Sequence, residues 1–515
     1  MNTTLRRSII LLAFLVFLSI EKKPEKPNAT FTAKDNVALK RISGTVVSPD
    51  GKYAVFASRQ WDPETGKNYN NLYYVAVDGS EAAKEVTKPS FDYADMNPVF
   101  SSEHTGYLFF LRSNSEGSQI YYIQFPPTET SEAKKVSSYE LDVGSFTISK
   151  NQVVFQTDFY YECGNNMTCS KEKDQEVASR GSNTYTIYDK LMVRHWNMWY
   201  TPMKYSTLFF DTLQGTGDNV TTTGAAENLQ FNQPFQSPPI EMGMEQVTIS
   251  PNGDYIAFAT IEMNEKMAYN TKWEIYLYNI ADKTAQGITA ERVGRCQMPL
   301  FSDDGKFVSM LCMNRNGIES DQLHVYVYDM DSKTFAQPGI EETFFKPTLS
   351  SYSWYTTEPK TFILSTLAEG RTQLYLYDFT ATTIETAHTA MTDNNLVYGS
   401  PIKINDNQIV ISFSGFLNAD TVARLDKDPT SGSWVQVELA DLNKDTLAKF
   451  ELYEGENFFF DSEIEGERVQ GWILKPKAVD DEVEESSTFK AKKFYHVMVK
   501  FIAPVCVVAI LIYMV

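Results

Sequence analysis

The chain is poor in histidine, in basic relative to acidic residues, and in long apolar runs. Five histidines serve 515 residues. They stand at His104, His195, His324, His388 and His496, none beside a nucleophile in a recognisable motif. General-base chemistry most often uses this side chain, so no catalytic residue is assigned from the sequence. Lys and Arg number 46 against 66 Asp and Glu, a formal net charge of -20. That balance excludes nucleic acid as a partner, which needs a basic stripe. No His accompanies a Cys pair at ligand spacing, and Asp303-Asp304-Gly305 is too short for a calcium loop. No phosphate-loop pattern appears. The sequence therefore implies no metal and no cofactor.

Aromatics are abundant, at 13%, and with β-branched residues they favour sheet over helix. A turn-and-strand phrase recurs. Ser48-Pro49-Asp50-Gly51 precedes Tyr53 and Val55, and Ser250-Pro251-Asn252-Gly253 precedes Tyr255. Ser302-Asp303-Asp304-Gly305 precedes Phe307, and a looser copy runs from Phe100 to Phe110. Pro presets one turn angle, Asp or Asn bonds its own backbone, and Gly accepts a positive φ. Aligned turns start at Ser48, Ser102, Ser149, Ser250, Ser302, Thr357 and Asn405, with steps of 54, 47, 101, 52, 55 and 48. A period of about fifty residues with several strands per repeat predicts an all-β propeller. The long step reads as one blade with a polar insertion, giving seven blades, with eight as the alternative. A short helix is expected over 172–180 and a surface loop over 214–243. The propeller is expected over 39–448, after a linker over 21–38.

Five cysteines fit an oxidising compartment. Cys163 pairs simply with Cys169 and Cys296 with Cys312, buried free thiols being the alternative, and Cys506 is left over. Arg6 and Arg7 ahead of the apolar run 9–18 predict a secretory signal over 1–20, either cleaved or kept as an anchor. Sequons at Asn28, Asn166 and Asn219 agree with that route. Residues 478–500 form an acidic linker and polar spacer, and 501–515 an apolar tail. Three readings of this tail compete. One is a lipid-anchor signal with Ser486 or Ser487 as attachment site. The second is a transmembrane helix that buries Lys500. The third is a cut or altered start of a further domain. The first two attach the chain to a membrane through its tail.

Tyr188-Asp189-Lys190-Leu191, Arg194-His195-Trp196 and the segment Gln470-Gly471-Trp472, together with the turn phrases, resemble the prolyl oligopeptidase family of serine peptidases. The nearest branch is that of dipeptidyl-peptidase V and the acylaminoacyl-peptidases. The resemblance covers residues 38–477 and implies a propeller capping an α/β-hydrolase, with 449–477 as exit strands leading into it. It also implies a Ser nucleophile in Gly-x-Ser-x-Gly, with Asp and His later in the chain. None of the 26 glycines starts that motif. Family propellers help hold the peptide, which makes Arg194, His195, Trp196 and Trp199 the candidate binding residues. Arg194 suits a carboxylate and the tryptophans an apolar wall. The opposing reading packs the tryptophans between blades and gives Arg194 an internal ion pair. The sequence thus points to a secreted or membrane-tethered propeller that binds a peptide or protein ligand without cleaving it. The alternative is part of an active exopeptidase releasing dipeptides or acyl-amino acids.

Overall fold

The computed structural model describes residues 30–475 apart from 183, 184, 190, 231, 232, 240, 241, 340–347, 359 and 465. The signal, Asn28, Cys506, the tail and its Ser486 and Ser487 lie outside the described residues. Ala33–Ala38, expected as the end of a linker, is a short helix. Among the described residues no helix is long and apolar enough to cross a membrane.

Ala33–Lys444 is one compact unit built from successive antiparallel meanders. The first runs from Arg41–Val47 through Tyr53–Asp62 and Lys67–Ala76 to Lys84–Glu85. The second spans Tyr93–Phe100 to Lys134–Lys135. The third pairs Ser145–Ser149, Gln152–Tyr160 and Lys204–Gln214. The fourth centres on Tyr255–Glu262 and the fifth on Phe307–Cys312. A nine-stranded sheet holds two more meanders, one around Thr361–Ala368 and one around Gln408–Ser414, bridged by Val397–Tyr398.

The period-two alternation of each second strand builds the core. Adjacent residues point to opposite faces, so one sheet packs on both neighbours. Val55 and Leu72 meet Leu108 and Phe110 of the second sheet. Phe109 and Tyr122 on the other face meet Phe155 and Phe209 of the third. Val154 and Leu208 then meet Ile256 and Phe258. Ala257 meets Val308 and Met310, Leu311 meets Phe362 and Leu364, and Ile363 meets Ile409 and Ile411. Val410 and Val422 finally pack on Ala54 and Phe56 of the first sheet, so the series closes on itself. A backbone latch joins its ends. The buried Asn443 side chain accepts from Lys40 N at 2.8 Å and donates to Lys40 O at 2.9 Å.

The recurring turn is one hydrogen-bonded device. Ser48 Oγ donates to Asp50 at 2.7 Å and accepts from Tyr53 N at 3.0 Å, while Gly51 N donates to Ser48 O. Ser302 repeats this with Asp304 and Phe307 at the same two distances. Gly51 and Gly305 have φ of 73° and 71°, the left-handed backbone that the turn requires. In the second sheet the equivalent residue is Ser101, not Ser102. It follows the strand directly, and its Oγ accepts from Glu103 N and His104 N. The turn's looser sequence hid this one-residue offset. Counted from Ser101, a further repeat appears: Gly44, Asn97 and Met298 each lie four residues before their serine, and each has a positive φ in a bulged inner strand.

Two expected boundaries move. The helix runs Met167–Ser179, starting earlier because Asn166 Oδ1 caps Cys169 N at 3.0 Å. The segment 214–243 is not a bare loop. Thr221–Thr222 and Glu227–Asn228 extend the third sheet, Phe235–Gln236 extends the fourth, and Val220 and Leu229 are buried. Its Thr, Gly and Asn content masked three short edge strands. Separately, Gly455–Asp461 and Arg468–Leu474 form an antiparallel hairpin.

Candidate functional site: an aromatic hairpin beside a methionine-walled cavity

The third sheet departs from the common plan between its second and third strands. Its connection, residues 161–203, begins with a 3-10 turn at Tyr161–Cys163 and continues into the helix Met167–Ser179. The Cys163–Cys169 disulfide ties the turn to the helix start. Lys204 Nζ at the base of the returning strand holds Asp174 of the helix at 2.8 and 2.9 Å. The second expected disulfide, Cys296–Cys312, joins residues directly opposite on neighbouring strands of the fifth sheet.

Arg194–His195 and Met198–Trp199 form a miniature hairpin. It brings all four candidate binding residues together. The Arg194 guanidinium lies 5.3 Å from the centre of the Trp199 ring. The His195 ring stacks on Trp196 at 4.9 Å. Trp196 is 75% and Trp199 64% exposed, so neither is packed between sheets. Trp196 has a φ of 41° at the first turn position. That place in a two-residue hairpin normally falls to Gly, and an L-residue there carries strain.

The hairpin's flanks line an open cavity of about 550 Å³. One wall comes from the insertion, with Tyr188, Met192 and Met203, and the other from the fourth sheet's loop, with Met263, Met267 and Tyr269. Its floor is fixed by a small core in which Met192, Tyr200 and Met263 pack on Ile261, Met267 and Trp273. The Tyr188 hydroxyl donates to Tyr200 O at 2.7 Å, binding the segment's two ends together. Tyr161 and Tyr205 stack 5.9 Å apart at the cavity. Burial, followed by the neighbouring Tyr161 phenol, raises the Tyr205 hydroxyl above its usual range. Asp189, Glu265 and Lys266 also line the cavity and are exposed. A second cavity of similar volume, between the first two sheets, is edged by Lys84, Glu85, Lys88, Glu129 and Glu132. It has the make-up of a solvated groove.

Arg194, His195, Trp196 and Trp199 thus stand next to the cavity and do not line it. Its own walls were missed in the sequence, although Met192, Met198 and Met203 fall close together and signal an adaptable surface. Of the sequons, Asn166 and Asn219 are both exposed. Asn166 uses its Oδ1 as a helix cap.

No protein-family model matches the chain. It is 28% identical over 297 residues to dipeptidyl-peptidase 5 of Porphyromonas gingivalis, a match covering 57% of this chain and 40% of that protein. It is 23% identical over 496 residues to a probable dipeptidyl-peptidase 5 of Aspergillus niger, covering 90% and 64%. The chain thus spans about half the length of these curated relatives. Among solved structures, acylaminoacyl peptidase of Pyrococcus horikoshii superposes with a TM-score of 0.58 at 14% identity, covering 86% of this chain and 58% of that one. This last likeness bears on the fold alone. The matches are consistent with the prolyl oligopeptidase family, dipeptidyl-peptidase V-like, over its propeller region.

Proposed function

We propose that the ring is a seven-bladed β-propeller of the dipeptidyl-peptidase 5 kind, and that the 515 residues act as a peptide- or protein-binding module. The closed series of inter-sheet cores supports the blade count. The binding reading is carried by one observation. The insertion in the third sheet displays a strained, solvent-facing aromatic hairpin beside an apolar-walled cavity. Arg194 offers a carboxylate or carbonyl a charged donor, and Trp196 and Trp199 offer apolar faces. Calorimetric titration of the full chain with unstructured peptides tests this. Binding should weaken at least tenfold in Trp196→Ala and in Trp199→Ala. Unchanged affinity in both variants removes the hairpin from the site.

A second reading is favoured by the names of the relatives: a longer product that carries a hydrolase and releases dipeptides from peptide amino termini. Sequencing the transcript past Lys475 tests this reading: reads that continue into a hydrolase sequence would favour it, and a stop codon after Val515 in every read would remove it. Passage through the secretory route, with membrane attachment by the tail, is part of the same proposal. Two disulfides and the exposed Asn166 and Asn219 support it. Loss of a glycosidase-sensitive mass shift in the Asn166→Gln, Asn219→Gln double variant would assign the glycans to these sites. Persistence of the whole shift in that variant would exclude both.

A further inference from the structure

Resting on the peptide-binding reading, we propose that the cavity between the third and fourth sheets is an adaptable pocket for one bulky apolar side chain of the bound peptide. It should accept Leu, Met, Phe and Trp with little distinction and reject Gly and charged residues.

The chemistry of the walls carries this. Met192, Met203, Met263 and Met267 all line the cavity. A thioether side chain is unbranched and polarizable, so four of them can repack around ligands of different shape and still make favourable sulfur–ring contacts. A wall of β-branched side chains, stiff at χ1, would instead select one shape. The volume of about 550 Å³ lies within the range of pockets that hold small organic groups.

The pocket also has a fixed frame. Met192 and Met263 come from different sheets but pack against one small cluster that holds the buried Ile261 and Trp273. The wall spacing is therefore set from behind, while the thioether ends remain adaptable. The Tyr188 hydroxyl is engaged by Tyr200 O, so its ring is the part left for a ligand. Leu191 and Tyr269 are 60% and 71% exposed at the edge, apolar surface that a side chain entering the pocket would cover. Asp189, Glu265 and Lys266 supply both signs of charge at the same edge. That matches the main chain and terminal amine of a peptide better than it matches a purely apolar ligand.

The full chain, labelled with 13C at the methionine methyls, is titrated with amidated tetrapeptides Ala-Xaa-Ala-Ala, with Xaa as Gly, Lys, Leu, Met, Phe or Trp. The four cavity methyls are assigned by single Met→Leu variants. The Leu, Met, Phe and Trp peptides should bind within about threefold of one another and at least tenfold tighter than the Gly and Lys peptides. The methyl signals of Met192, Met203, Met263 and Met267 should move, and that of Met310, buried between the fourth and fifth sheets, should not. In Met203→Lys, whose parent side chain is 37% exposed, the tenfold preference should vanish with the unfolding midpoint unchanged. Should that variant unfold, Met203→Gln provides the same readout. Peptides that bind without moving the four cavity methyls overturn the pocket and leave peptide binding by the propeller intact. Absence of binding by every peptide overturns both.

Discussion

The fifth sheet and the third begin from one plan and diverge at a single connection. Both carry a first strand, a tight turn and a largely buried second strand. In the fifth sheet, Phe307–Cys312 passes to His324–Asp329 through the short loop 313–323. In the third, Gln152–Tyr160 reaches Lys204–Gln214 only after 161–203. Each has a disulfide, placed differently. Cys296 and Cys312 are fully buried and cross-link two strands of the sheet. Cys163–Cys169 fastens the root of the insertion. The fifth sheet invests its bonds in the ring, and the third also holds up a surface that the ring does not need.

The sharpest way to break this contrast is to delete aromatic rings in the two settings. Phe209 is fully buried between the second and third sheets. Phe209→Ala should cost about 3–5 kcal/mol in urea unfolding. Trp199→Ala, in the same sheet's insertion, should shift stability by about 0.5 kcal/mol or less, because its ring is 64% exposed. Comparable losses would make the insertion part of the core and end the distinction.

The disulfides rank next. Loop closure favours the longer link, since the sequence separations are 16 and 6. Replacing Cys296 and Cys312 by Ala should cost about 3 kcal/mol, and the same change at Cys163 and Cys169 about 2 kcal/mol. Peptide affinity should fall only in the second variant. A loss of affinity in both would mean that the site depends on the ring as a whole.

Much of the ring was legible because it is written more than once. A single Ser-Pro-Asp-Gly is weak, but Ser48 and Ser302 share the same hydrogen bonds and occupy the same place before a buried strand. Val55 and Phe56 announce both faces by alternation. Where a residue has no copy, that support disappears. Thr221–Thr222 and Phe235–Gln236 are two-residue edge strands fixed by their neighbours, so their own sequence reads as loop. The candidate hairpin was located from family-like residues, but whether its tryptophans face solvent or pack between sheets stayed open in the sequence, because tryptophan is buried more often than not. The cavity joins Met192 to Met263 across two sheets, a contact that spacing along the chain does not encode.

Smaller effects follow at the hairpin turn. With Trp196 at a φ of 41°, Trp196→Gly should leave stability unchanged or raise it by up to about 1 kcal/mol, by removing left-handed strain. The same variant should lose peptide affinity. Opposite signs of change in the unfolding curve and the binding isotherm would mark strain kept for function. A gain in both would leave Trp196 without a purpose at this place.

The smallest effect belongs to the repeated turn and is pH-dependent. The Ser48 hydroxyl, opposed by slight burial and helped by Lys52 N–H, holds the Asp50 carboxyl below its usual range. At Asp304 burial pulls upward, but the Ser302 hydroxyl and Lys306 N–H prevail and the carboxyl is again lowered. A carboxylate with a depressed folded value stabilises the protein above its unfolded pKa of about 3.9, and the contribution is lost as pH falls through the folded value. Carboxyl titration followed by NMR should therefore show Asp304 moving up in Ser302→Ala and Asp50 moving up in Ser48→Ala, each without change at the other. Movement of Asp304 in Ser48→Ala, or of Asp50 in Ser302→Ala, would mean that a change in one turn spreads around the ring. The sheets would then not be near-independent repeats of one device, and the insertion would not be free to vary.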